Sequence, residues 1–141
     1  MGSLVLLIGG KGRAAASIHH TCSVTDRHFI TKAQLNLAAL GSLSEDYLKG
    51  DAKADDVIGL TESAVTAIHN TNPNDPSLSK TRSILRAMFL EYGRAIRADK
   101  RKRPPGKYIY RAYGLANFAH DVLAQAQPEL AKRGCDVTPL L

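Results

Sequence analysis

The clearest periodicity in the chain lies between Ser77 and Lys100, where apolar side chains fall at Leu78, Ile84, Leu85, Met88, Phe89, Tyr92 and Ile96. Steps of three and four residues place them on one helical face, with Lys80, Arg82, Arg86, Arg94 and Arg97 on the other. Asp75 and Pro76 supply the start: a carboxylate to accept from free first-turn amides, then a proline whose missing amide is no loss there. Pro104-Pro105-Gly106 must end the helix, because proline lacks the amide and disfavours helical backbone before it. Upstream, the pattern predicts a helix from near Thr31 to Leu40, closed by Gly41. A short one follows from the capping pair Ser42 and Glu45 to Lys49, stopped by Gly50. Asp55 to His69 forms a further helix with Val57, Ile58, Val65 and Ile68 inward, and Asn70 to Pro76 is a turn cluster. A last long helix is expected from Tyr108 to Ala126, with Ile109, Tyr113, Ala116, Val122 and Leu123 inward. Gln127 and Pro128 should interrupt it before a turn to Arg133 and Gly134. No stretch alternates long enough for a strand, and no repeat is visible. The expected fold is all-α, a compact bundle of four to five helices.

Residues 1–25 read instead as an extended N-terminal arm, leaving 26–141 as the bundle. An apolar tip, Leu4 to Ile8, precedes Gly9, Gly10 and Gly12, which lose much backbone entropy on ordering. Such a tip fits docking onto a neighbouring subunit or a lipid surface, a free chain end being the plainer alternative. It is too short to span a bilayer. Lys11 and Arg13 follow it rather than precede it, unlike a secretory signal, so an intracellular or intravirion setting is expected.

Composition adds little until charge is mapped along the chain. With 141 residues, 44% of them hydrophobic, the chain can bury one core. Three Phe, five Tyr and no Trp leave aliphatics and alanine to fill it, which favours helices. The net charge of +6 is unevenly placed. From Glu45 to Asp75 seven acids oppose Lys49 and Lys53, a net −5. From Lys80 to Arg111 eleven basic residues oppose Glu91 and Asp99, a net +9. Within the latter, Arg94, Arg97, Lys100, Arg101, Lys102, Arg103, Lys107 and Arg111 put eight cations into 18 residues. That density of like charge is self-repelling unless a polyanion neutralises it. Tyr108 and Tyr110 lie beside the cations as hydroxyl donors for phosphate oxygens. Arg82 and Arg86 on the preceding helix, and Lys11 and Arg13 on the arm, are candidates for further phosphate contacts. A solvated basic loop, an anionic membrane surface and an acidic protein partner are the competing readings.

Other chemistry is thinly supported. His19, His20, Cys22 and His28 lack a second pair at metal-finger spacing. Gly9 to Arg13 lacks the gap and the Gly-Lys-Ser/Thr of a phosphate loop. Asp55-Asp56 and His120-Asp121 are adjacent pairs that point to different helix faces, and no Ser, His and Asp spacing favours a triad, so no enzymatic activity, cofactor or metal is expected. Nothing matches a base-reading motif, which leaves sequence-independent binding as the default. Cys22 and Cys135 read most simply as free buried thiols, a disulfide between the chain ends being the alternative.

One stretch adds a family likeness. Residues Pro104 to Leu123, with Ile109, Tyr110, Tyr113, Gly114 and Leu115 in the spacing Ile-Tyr, two residues, Tyr-Gly-Leu, resemble the start of the C-terminal helix in a known coat-protein family. Its members are the major coat proteins of filamentous and rod-shaped archaeal viruses, the rudiviruses, lipothrixviruses and tristromaviruses of the Adnaviria. The likeness covers about 20 residues well and Leu78 to Leu130 loosely. It implies a small helical bundle with an extended arm that pairs with a copy or a paralogous coat protein as a heterodimer. Such subunits wrap double-stranded DNA in the A form and stack into a helical nucleocapsid within the virion, after assembly in the host cytoplasm. Enveloped members would add lipid contact. A hyperthermophilic host would also make an intracellular Cys22–Cys135 disulfide less surprising. The Leu/Val-rich, Gly-rich start of the chain has no counterpart in the family pattern. A chromatin-like or regulatory DNA-binding protein that does not assemble, and a helical adaptor with a basic face for an acidic protein, remain the alternatives.

Overall fold

A computed structural model of the chain describes residues 21–141. The tip Leu4 to Ile8, Lys11, Arg13 and most of the expected arm lie outside the described residues. Four α-helices follow one another: α1 (Val24–Lys49), α2 (Ala54–His69), α3 (Pro76–Lys100) and α4 (Gly106–Lys132), then a 3-10 turn, Thr138–Leu140. There is no strand among the described residues, and the fold is all-α.

Each helix starts where its sequence offers a hydrogen-bond acceptor, with one exception. The Ser23 hydroxyl accepts from the Asp26 amide at 3.0 Å while the Asp26 carboxylate accepts from the Ser23 amide at 3.3 Å, a reciprocal cap that starts α1. The Asp56 carboxylate accepts from the Lys53 amide at the start of α2. Asp75 Oδ1 accepts from the Ser77 and Leu78 amides at 2.8 and 3.0 Å, with Pro76 first in α3 as expected. Only α4, which follows Pro105, has no side-chain cap.

Side-chain ties between helix ends show that the four run alternately up and down. Asp26 at the start of α1 accepts from the Asn74 and Asp75 amides at the start of α3, and Arg133 after α4 pairs with Asp75. At the opposite end, Tyr47 of α1 donates to Asp99 of α3, and Lys100 of α3 meets Asp55 of α2. α3 is the central element, packed on α4 and α2 and more lightly on α1. Its apolar stripe is buried as the spacing requires: Leu78 and Phe89 are fully enclosed and Ile84, Leu85, Met88 and Ile96 nearly so. Phe29 and Ile68 meet this stripe from α1 and α2, Leu123 and Leu130 from α4. Gly93 lets α2 approach closely, since a Cβ there would lie 2.8 Å from Thr61 Oγ1.

Three sequence expectations differ from what forms. The pair of helices expected around Gly41 is one helix of 26 residues that starts at Val24, so positions 21–25, assigned to the arm, already belong to the bundle. A mid-helix glycine costs about 1 kcal/mol relative to alanine. Burial of Leu40 with partial burial of Leu43 and Tyr47 on the same face exceeds that. The true stop is Gly50, in the left-handed region at φ 84°. α4 likewise runs through Pro128 to Lys132. Pro128 and Ala124, the residue whose carbonyl loses a partner, both face solvent, where water can replace the bond, while Leu130 beyond them is fully buried. Tyr113, expected inward, is 69% exposed, and the buried line of α4 is Ala112, Ala119, Leu123 and Leu130.

The cysteines are not free thiols. Cys22 and Cys135 form a disulfide with 5.2 Å between Cα atoms across 113 residues of sequence, and the Cys22 amide donates to the Arg133 carbonyl at 2.7 Å. Closing a loop of that length restricts the unfolded chain by about 4–5 kcal/mol. Replacing both cysteines by serine should therefore lower the denaturant midpoint strongly at unchanged helix content, as read by circular dichroism in urea.

The Asp26 carboxyl sits in opposed influences. Burial raises its pKa, but the Asp75 amide, the Ser23 hydroxyl and amide and the Asn74 amide together hold it below its ordinary 3.8. A lowered folded-state pKa stabilises fully above the unfolded value and loses that stabilisation as pH falls through the folded value. Asp26→Asn should thus destabilise at pH 7 by about 1–3 kcal/mol. The gap between variant and parent should narrow below pH 4, as read by denaturation at both pH values.

Candidate nucleic-acid interface

The basic segment folds as the end of α3, a tight turn and the start of α4, at the end of the bundle away from the disulfide. α3 is closed by two backbone bonds: the Arg103 amide reaches the Ala98 carbonyl at 2.8 Å, and the Lys102 amide reaches Asp99 at 2.9 Å. This closure puts Lys102 at φ 58°, the only residue other than glycine at positive φ among those described. Cations at the carboxyl end of α3 complement its dipole. The turn and first residues of α4 then wrap a concavity of about 580 Å³, lined by Arg94, Arg97, Arg101, Arg103, Lys107 and Tyr108.

The cations divide into two sets. Arg94 pairs with Glu91 at 2.5 Å, Arg97 with Glu62 at 2.7 Å, and Lys100 with Asp55 at 2.6 Å, while Arg111 lies 3.8 Å from Glu91. Arg101, Lys102, Arg103 and Lys107 have no carboxylate partner among the described residues. The acidic segment is therefore partly used within the chain, since Asp55 and Glu62 of α2 face the basic side of α3. Such exposed pairs contribute only about 0–1 kcal/mol each and are open to exchange for a phosphate. Asp99, the one acid within the turn region, receives the Tyr47 hydroxyl. That bond, with burial and the Asp99 charge, pushes the Tyr47 phenol up to about 12.

The tyrosines have different placements. Tyr108 is half-buried, with the Lys107 ammonium 5.0 Å and the Arg111 guanidinium 5.9 Å from its ring centre. Its ring therefore positions two cations. Tyr110 is 75% exposed with its hydroxyl open to a partner. Two sequence candidates stand apart from the turn. Arg82 donates to the Thr71 carbonyl at 3.0 Å and to Asn72 Oδ1 at 3.2 Å, which pins the α2–α3 connection. It lies roughly 22 Å along the axis from Arg97. Arg86 is half-buried in mid-helix, its Nε enclosed without a partner. Lys11 and Arg13 lie outside the described residues.

Sequence reading missed Tyr47, Glu62, Asp55 and Glu91 as partners of the basic segment. The complementary charges of α2 and α3 were the available sign, but pairing between neighbouring helices needs their packing. Of the residues weighed for a metal site, Cys22 is in the disulfide, with Asp26 close to both sulfurs, His28 is exposed, and His19 and His20 lie outside the described residues.

No family model, curated protein or solved structure matches this chain.

An alkaline absorbance titration should show one of the five tyrosines ionising near pH 12, about two units above the ordinary phenol. Tyr47→Phe should delete that step.

Proposed function

We propose that this chain is a structural, non-catalytic coat protein that binds double-stranded DNA through phosphate contacts, without reading base sequence, and assembles with copies of itself or a paralogue into a helical nucleocapsid. The observation that carries the binding part is the set of cations without a carboxylate partner among the described residues: Arg101, Arg103 and Lys107 line one concavity at one end of a helical bundle, and Lys102 stands in the same turn. Cations so arranged neutralise a row of phosphates and release condensed counterions, the main source of sequence-independent affinity. Arg97 and Lys100 flank them with exposed ion pairs that a phosphate can replace, and Tyr110 offers a hydroxyl.

Assembly is supported by surface apolar groups and by the coat-protein likeness at Ile109, Tyr110, Tyr113, Gly114 and Leu115. On α4, Tyr110, Tyr113 and Gly114 of that motif are exposed, Ile109 is half-buried, and Leu115 is half-buried against the core. Leu48 is 84% exposed, and Tyr113 with Leu37, Leu40 and Met88 lines a groove of about 260 Å³. Subunit packing would remove such surface from water. A continuous protein sheath would exclude water from the duplex and favour the A form.

Mixing the protein with random-sequence duplex DNA and imaging by negative stain should give uniform filaments. Isolated beads or bends would favour a non-assembling DNA-binding protein, and no complex an adaptor for an acidic protein. Changing Arg101, Lys102 and Arg103 together to Ala should weaken binding to unrelated sequences by the same factor, at least about 10-fold, with helix content unchanged. A loss confined to one sequence would contradict the proposal.

A further inference from the structure

Three of the four helices end in the same backbone closure, and they differ in the residue at its left-handed position. After α1, the Asp51 amide reaches the Asp46 carbonyl at 2.8 Å and the Gly50 amide reaches Tyr47 at 3.1 Å, with Gly50 at φ 84°. After α4, the Cys135 amide reaches Leu130 at 2.8 Å and the Gly134 amide reaches Ala131 at 3.0 Å, with Gly134 also at φ 84°. After α3 the bonds are equivalent, but the residue is Lys102 at φ 58°. A side chain at this position brings Cβ close to the backbone, which is why such closures favour glycine, with asparagine next. Lysine has no short polar group to ease that crowding.

Among the described residues no side-chain contact offsets the strain. Lys102 is exposed and makes no side-chain hydrogen bond, ion pair or aromatic contact among the described residues. A second locally unfavourable choice lies five residues away. Lys107 is in the first turn of α4, at the positive end of its dipole, in the one helix with no side-chain cap and no acid in that turn. By contrast, Ser23 and Asp75 cap the starts of α1 and α3, and glycine occupies both other closures. Two departures side by side, both placing a cation where conformation or electrostatics disfavours one, indicate a role outside folding.

We infer that Lys102 is a direct phosphate ligand, held at the apex of the α3–α4 turn in a strained backbone conformation that the fold sets before any nucleic acid arrives. This rests on the phosphate-binding reading above and adds to it a division of labour. Arg94, Arg97, Arg101, Arg103 and Lys107 line the concavity, whereas Lys102 is not part of its lining and extends the contact to a phosphate beyond it. The two hydrogen bonds of the closure fix where the Lys102 side chain leaves the backbone, so binding does not have to order that point of the loop.

The test uses the full chain with Lys102→Gly, Lys102→Ala and Lys102→Arg, measuring thermal unfolding without DNA and affinity for random-sequence duplex across a salt series. Lys102→Gly relieves the left-handed strain and should raise the melting temperature by about 3–5 °C. It should also weaken binding roughly 3- to 10-fold at 0.1 M salt and make the log–log salt slope shallower by about one. Lys102→Ala should weaken binding equally with no gain in melting temperature, and Lys102→Arg should keep both parent values. Undiminished affinity and slope in Lys102→Gly would overturn the inference while leaving phosphate binding by the other cations standing. An unchanged or lower melting temperature in that variant would remove the strain and overturn it from the other side. If the parent protein itself fails to bind duplex DNA, the functional proposal fails, and this assignment with it.

Discussion

Two buried carboxylates, Asp26 and Asp75, hold the closed end of this bundle. Taking a charge out of water is costly unless hydrogen bonds replace the lost hydration. Here five backbone amides and the Arg133 guanidinium do so: Ser23, Asn74 and Asp75 on the first carboxylate, Ser77, Leu78 and Arg133 on the second. The same contacts cap α1 and α3, fix the α2–α3 connection and tie down the end of α4. The Cys22–Cys135 disulfide secures that junction covalently. The buried polar ties and the covalent one are thus gathered at one end, while the opposite end is held by exposed ties, Tyr47 to Asp99, Lys100 to Asp55 and Arg97 to Glu62.

Anchoring at one end leaves the other free to carry charge that folding does not need. The α3–α4 turn is closed by its own backbone bonds. Cations can therefore accumulate there up to the limit of their mutual repulsion. α2 relieves part of that repulsion through Asp55 and Glu62, and Tyr47 engages the acid that would otherwise oppose the cations. What remains is a rigid basic end on a bundle stapled at the opposite pole. The proposed stacking along a polyanion would have each copy present this same face.

Much of the fold was legible because the signals for α2 and α3 were local. A strong stripe of period 3.6, the Asp75-Pro76 start and the double-proline stop all act within a few residues, and each lies where the spacing predicts. Gly41 and Pro128 misled for the opposite reason. Their local preference is to end a helix, and it was overridden by burial of Leu40 and Leu130, whose partners are distant in sequence. The disulfide could not be inferred from two cysteines 113 residues apart without the packing that brings their Cα atoms to 5.2 Å. Of the basic residues, clustering along the chain identified the turn, but it could not separate Arg82, which pins a loop through Thr71 and Asn72, from Arg101 to Arg103, which have no carboxylate partner among the described residues. Nor could it show that Lys102 sits where glycine would be favoured, since that follows from backbone geometry alone.

The central claim is that this basic end grips a sugar-phosphate chain without reading its bases. It is tested most directly by titrating the intact protein onto duplexes of unrelated sequence over a range of salt concentrations. If about six phosphates are neutralised per subunit, log affinity falls against log salt with a slope near −5, the same for every sequence. A slope close to zero, or slopes that depend on sequence, would contradict the account.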